Sequence, residues 1–155
     1  MNELILSKVA SEKVDVAELA RTGVQEIGDA AATISDNVSY VNFNANASAS
    51  RVITMPSALK GRNFRAFWSV EQAGNDRVFT RAGSDTFEGN IFTSVEGNAA
   101  GDGDVVAIAN TTVAITVVDD VNIGSYIDFQ CLSNGRWSVV GHLVVDAVSS
   151  VPTLA

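Results

Sequence analysis

The chain is short of the residues that most readily carry reactive chemistry or cross-links: its 155 residues include one cysteine, one histidine and two prolines. A single thiol builds neither an intrachain disulfide framework nor a multi-cysteine zinc site, so stability has to come from packing. At this length a folded chain buries roughly 70% of the surface its unfolded form exposes, enough for one self-sufficient domain. No run approaches the roughly 20 apolar residues that cross a bilayer. The start, Met1-Asn2-Glu3 before a short apolar run and Lys8, lacks the basic and hydrophobic regions of a secretory signal. The expectation is a soluble, unprocessed chain with no membrane partner. Bases are scarce as well: ten Lys+Arg face eighteen Asp+Glu, a net charge of -8. That balance argues against binding nucleic acid through a general positive field. Composition leaves enzyme, binding module and structural protein open.

The charge is segregated along the chain. Residues 1–50 hold three bases and seven acids, residues 51–82 six bases and two acids, and residues 83–155 one base and nine acids. The basic segment mixes Arg51, Lys60, Arg62, Arg65, Arg77 and Arg81 with Phe64, Phe67, Trp68 and Phe79. Arginine beside aromatic residues suits single-stranded nucleic acid, but it is also the composition of protein interfaces. In so acidic a chain the interface is the preferred reading. Arg62 and Arg65 of one copy facing Asp119 and Asp120 of the next form a candidate self-contact.

Period-2 alternation dominates beyond residue 50 and predicts an all-β fold, a sandwich or small barrel. Phe64, Ala66, Trp68 and Val70 alternate with polar or flanking residues, as do Ser125, Ile127, Phe129 and Cys131. Further strands are expected at 39–43, 52–55, 77–81, 86–93, 105–109, 111–118 and 136–145, separated by Gly-, Asn- and Asp-rich turns. Asn134-Gly135 predicts a tight hairpin. The run 42–50, small and polar, reads as a loop. Residues 1–36 keep no clean period. They read as an N-terminal arm with at most a short helix near Asp15–Gly23, ahead of a sandwich over 37–155, and Val9, Val14, Val16, Leu19, Val24 and Ile27 are the arm's candidate apolar contacts.

Candidate chemistry is sparse. His142 lies in a strand-like run on the face opposite Val139, Gly141 and Leu143, and no nucleophile motif accompanies it, which favours a solvent or interface histidine over a general base. Cys131 alternates with Ile127 and Phe129 and reads as a buried small hydrophobe. Gly101-Asp102-Gly103-Asp104 has carboxylates on a glycine turn but lacks the remaining ligand run of an EF-hand, so it reads as a plain acidic turn. No metal, cofactor or catalytic residue is assigned.

Several segments together resemble the small β domains of tailed-phage virion proteins. They are Val52-Ile53-Thr54-Met55-Pro56 through Gly61, the aromatic strand Phe64 to Val70, Thr80-Arg81-Ala82-Gly83-Ser84-Asp85-Thr86-Phe87-Glu88-Gly89, Gly124 to Phe129, and Asn134-Gly135-Arg136-Trp137. The resemblance implies a small β-sandwich or jelly-roll-like subunit, commonly a homotrimer, without catalysis. A short chain with an arm and no fibrous repeats is most similar to a capsid decoration (cement) protein. Such a protein binds the major capsid protein on the exterior of the virion head and adds contact area across subunit seams, multiplied by symmetry. The alternative implied is a tail-fibre or head-fibre module that binds a host receptor or glycan, with Tyr126 or Trp68 stacking on sugars.

Overall fold

The computed structural model describes residues 23–96, 103–118, 120–146 and 152–155. The described residues form strands, turns and loops, and none is helical. The strands are β1 (Gly23–Ile27), β2 (Ala32–Thr33), β3 (Val38–Phe43), β4 (Arg51–Thr54), β5 (Asn63–Trp68), β6 (Arg77–Thr80), β7 (Thr86–Val95), β8 (Asp104–Thr112), β9 (Ala114–Val117), β10 (Tyr126–Ser133), β11 (Arg136–Val145) and β12 (Thr153–Leu154). They make a seven-stranded sheet in the order β1-β3-β5-β10-β11-β7-β8 and a five-stranded sheet in the order β12-β9-β6-β4-β2. The sandwich expected from the alternation is therefore present.

The connections are the unexpected part. From β1 to β6 the chain changes sheet at every strand, and β1, β3 and β5 are parallel neighbours, as are β2, β4 and β6. Each pair β1/β2, β3/β4 and β5/β6 thus adds one rung to a two-sheeted coil. The later strands close it with antiparallel pairs, apart from β7 and β11, which run parallel over their whole length. Period-2 patterning reports which face is buried and is blind to strand direction. At one end of the molecule lie the loops 35–37, 55–62, 81–85 and the Asn134-Gly135 turn; at the other lie loops 28–31, 44–50, 69–76 and 120–125.

The boundary of the arm moves. β1 and β2 fall inside the span read as an arm, yet β1 pairs with β3 along its length and β2 pairs with β4. Ile27 and Ile34 are buried in the core. The short 23–27 and 32–33 segments carry too few residues for alternation to stand out in sequence; they are strands because a neighbouring rung pairs with them. Val9, Val14, Val16 and Leu19 lie outside the described residues, as does the short helix expected near Asp15–Gly23 except for Gly23 itself, which begins β1.

Between the sheets sit Phe43, Phe64, Trp68, Phe79, Phe87, Phe129 and Trp137. Their rings meet in tilted, stacked and edge-to-face pairs, such as Phe64–Phe129 at 4.9 Å and Phe79–Phe129 at 5.2 Å between centroids. Cys131 is buried among them as expected, and that burial pushes its thiol pKa up.

Three of the turn segments singled out in the sequence, at Ala58, at Asp85–Thr86 and at Asn134–Gly135, meet at the hairpin end. The Asp85 carboxylate accepts from Ala58 N at 2.7 Å, the Ala58 carbonyl accepts from Gly135 N at 2.8 Å, and the Gly135 carbonyl accepts from Thr86 N at 3.0 Å. Asn134 Oδ1 adds a bond from Lys60 N at 2.8 Å. Gly135 has φ 82° while Asn134 does not have a positive φ, so only the glycine uses the left-handed region. These motif residues hold three loops together and are structural.

At the opposite end Asp29 Oδ1 accepts from Ser48 N at 2.9 Å and from Arg51 Nε and Nη2 at 2.9 and 2.7 Å. The bonds from Ser48, then that from Arg51, pull its pKa from the ordinary 3.8 to about 2. A depressed carboxylate contributes stability above its unfolded pKa and loses it as pH falls through the folded one. In melting curves from pH 7 to 2, Asp29→Asn should melt lower than wild type at neutral pH, and the gap should close between pH 4 and 2. A gap independent of pH would refute the assignment.

Candidate functional site

Alternation sends every second side chain of the seven-stranded sheet away from the core, and the register fixes which of them stand side by side. Phe67 lies opposite Tyr126, Tyr126 opposite His142, His142 opposite Phe92, and Phe92 opposite Val105. At a strand spacing of about 4.8 Å, this row runs about 19 Å across β5, β10, β11, β7 and β8. Phe92 is 47% exposed and Val105 51%, and Val140, one step along β11, is 52% exposed. Tyr126 and His142 meet edge to face at 6.5 Å. The row was not legible as a unit in sequence, because its members lie on strands far apart in the chain and only the register joins them.

Charges on this face are largely matched within the chain. Arg65 Nε and Nη2 donate to the two oxygens of Asp128, both at 2.7 Å, and the guanidinium lies 4.3 Å from the centre of the Tyr126 ring. Arg136 Nη1 lies 3.4 Å from Glu88 Oε2.

The candidate self-contact residues are not brought together within one chain. Arg65 is committed to Asp128, and Arg62 is paired with Asp36 at 3.2 Å, at the hairpin end. Asp120 is at the opposite end, in the left-handed region with φ 65°. Asp119 lies outside the described residues. Arg62 and Asp120 sit at opposite poles, so a contact between them needs two copies placed end to end. Of the arm residues, Val24 is exposed on β1 and Ile27 is part of the core.

His142 is on the outer face, as its position in the alternation predicts, with Nε2 3.1 Å from the Ser94 hydroxyl. The structure gives no carboxylate bonded to the other ring nitrogen among the described residues. β11 pairs with β7 along its whole length and with β10 from Tyr126↔His142 to Gln130↔Ser138, so most backbone N–H groups beside the ring are engaged in ladders. Trp68, offered in sequence as a sugar platform, is 1% exposed, and its Nε1 donates to Gln72 Oε1 at 3.1 Å. Its phase on β5 puts it inward with Phe64 and Ala66. Among the described residues no three His, Cys, Asp or Glu side chains are grouped to hold a metal.

No family model, no curated protein and no solved structure matches the chain.

Proposed function

We propose that the chain is a non-catalytic docking module, a decoration protein on the exterior of a tailed-phage head. In this reading it grips the major capsid protein through the outer face of its seven-stranded sheet. The observation that carries it is the row Phe67–Tyr126–His142–Phe92–Val105. Aromatic and apolar side chains held outward on a rigid sheet, with neighbouring charges already paired, have the composition of the centre of a protein interface. A rigid sheet loses little conformational freedom on docking, so more of the contact energy appears as affinity. The difference between the two poles, Lys60 and Arg62 with Asp36 at one end and Glu71, Glu96, Asp120 and Asp146 at the other, supports head-to-tail contacts between copies, which make a homotrimer where the rotation closes after three.

The test is binding to shells. Phe92→Ser with Val105→Ser should reduce occupancy on purified heads at least about tenfold, which is about 1.4 kcal/mol of binding free energy. Melting should change little, because both side chains are exposed. Full occupancy by the double variant would remove the row as the docking surface. Copy number in virions separates head from tail: hundreds of copies fit decoration, and a few tens or fewer would move the protein to a fibre.

A further inference from the structure

The outer face has a second region, on the half nearest the hairpin end, where two hollows meet at Asn63. One is a groove of about 450 Å³ lined by Tyr40, Asn63, Arg65, Asp128 and Gln130, over β5 and β10 where Phe64 and Phe129 turn inward. The other, about 260 Å³, continues from Asn63 between the segments 36–39 and 59–62. Both are in or near the size range of small-ligand sites. The furrow is built differently from the apolar row. Tyr40, 46% exposed, forms one wall, and its ring is set edge-on against Phe67 at 6.5 Å and 79°. The Arg65–Asp128 fork lies on the floor, with both partners part-exposed. Asn63 Oδ1 and the Gln130 amide make no hydrogen bond to any described residue, and Asn63 Nδ2 makes only a long one, 3.5 Å, to the Gly61 carbonyl.

We propose that this furrow binds an extended oligosaccharide, with Tyr40 as the stacking wall and Asn63, Gln130 and the Arg65–Asp128 pair as the hydroxyl readers. A sugar hydroxyl donates and accepts at once, and vicinal hydroxyls match planar groups that present a donor beside an acceptor, as amides and a guanidinium–carboxylate fork do. The apolar C–H face of a pyranose needs an exposed ring, and Tyr40 supplies one. A peptide strand is a poorer fit. β3, β5 and β10 are interior strands whose backbone groups are used in their ladders, so an extended peptide gains no main-chain bonds there. A polyanion is a poorer fit as well, because Arg62 and Arg65 are already paired with carboxylates. The furrow adjoins the apolar row, with Tyr40 against Phe67 and Arg65 over Tyr126, but its polar readers are not members of the row, so variants of each can be tested separately.

The experiment is an amide NMR titration of the full-length chain with maltohexaose, cellohexaose and chitohexaose at millimolar concentration. At least one should shift the Ser39, Asn63, Arg65 and Gln130 amides in a saturable way. Tyr40→Ala and Asn63→Leu, both at exposed positions, should each weaken that binding at least about tenfold, while the Phe92→Ser, Val105→Ser double variant binds sugar as wild type does. Three results would overturn the proposal: no saturable shift with any of the sugars, shifts that persist undiminished in both groove variants, or shifts that map to the apolar row.

Discussion

Replacing Gly89 by alanine is expected to leave little folded protein. Gly89 lies inside β7, paired on one side with Val139 of β11 and on the other with Ile108 of β8, where the β7–β8 register shifts between Phe87 and Gly89. Its φ is 140°, a conformation that L side chains rarely adopt. A Cβ there would stand 1.9 Å from the Val139 carbonyl oxygen and 2.8 Å from its carbon. Those atoms are backbone and have no rotamer to change, so β7 has to leave β11, and the parallel ladder from Arg136/Thr86 to Val145/Val95 goes with it. The loss should exceed about 4 kcal/mol, the range reserved for broken backbone geometry and overpacking. For a domain of this size that is a drop of roughly 10 °C or more, or insoluble protein. Gly61→Ala and Gly124→Ala are the controls. Both glycines have positive φ, but a Cβ at either meets nothing within 4 Å, so each should cost only about 1 kcal/mol. A Gly89→Ala protein that melts with the controls would show that β7 relaxes past the contact.

Gly89 also marks where sequence reading stops. In sequence it is the last residue of the segment Thr80 to Gly89, and nothing local shows that it faces another strand's backbone. The same bulge explains a misplaced break. Strands were expected at 105–109 and 111–118 with a break at Asn110, whereas β8 continues to Thr112 and the break falls at Val113. The pairing passes from Gly89↔Ile108 to Phe87↔Thr112, so the bulge absorbs residues 109–111 without ending the strand. Where alternation is long and regular it places elements well: Arg136–Val145 is a strand with the bounds read from sequence. Inward phases were legible for Phe64, Ala66, Ile127, Phe129 and Cys131 for the same reason. The parallel coil, the apolar row and the furrow at Asn63 were not legible, since each depends on which strands lie side by side. That is settled by long-range packing and leaves no period in the chain.

Arg77, a charged residue in the sequence's basic segment, is removed from solvent by the fold. The residue is 0% exposed. Its Nη1 donates to the Gly28 carbonyl at 3.0 Å, Nη2 to the Ala45 carbonyl at 2.9 Å and Nε to Gln72 Oε1 at 3.3 Å, with the guanidinium 5.0 Å from the centre of the Phe43 ring. Gln72 passes the connection on, accepting from Trp68 Nε1 and donating to the Asn75 and Val118 carbonyls. Desolvation lowers the Arg77 pKa, but an arginine starts so high that it stays charged. Burying such a charge is costly, and exchanging a complete buried ion network for apolar residues is often neutral. Here that exchange is not open, because two of the acceptors are main-chain carbonyls on loops that belong to different rungs. Arg77→Met would remove the charge but strand those oxygens, at about 1–3 kcal/mol for each one left dry. The net loss should be about 3 kcal/mol, roughly a 10 °C fall in melting temperature. Arg77→Lys keeps the charge and loses the fork, so it should also melt well below wild type, which a purely electrostatic role would not require. Hydrogen exchange should quicken first around residues 28, 45 and 75, while the hairpin end stays protected. If Arg77→Met melted within about 1 °C of wild type with unchanged exchange in those loops, the guanidinium would be tolerated at that pole without holding it together.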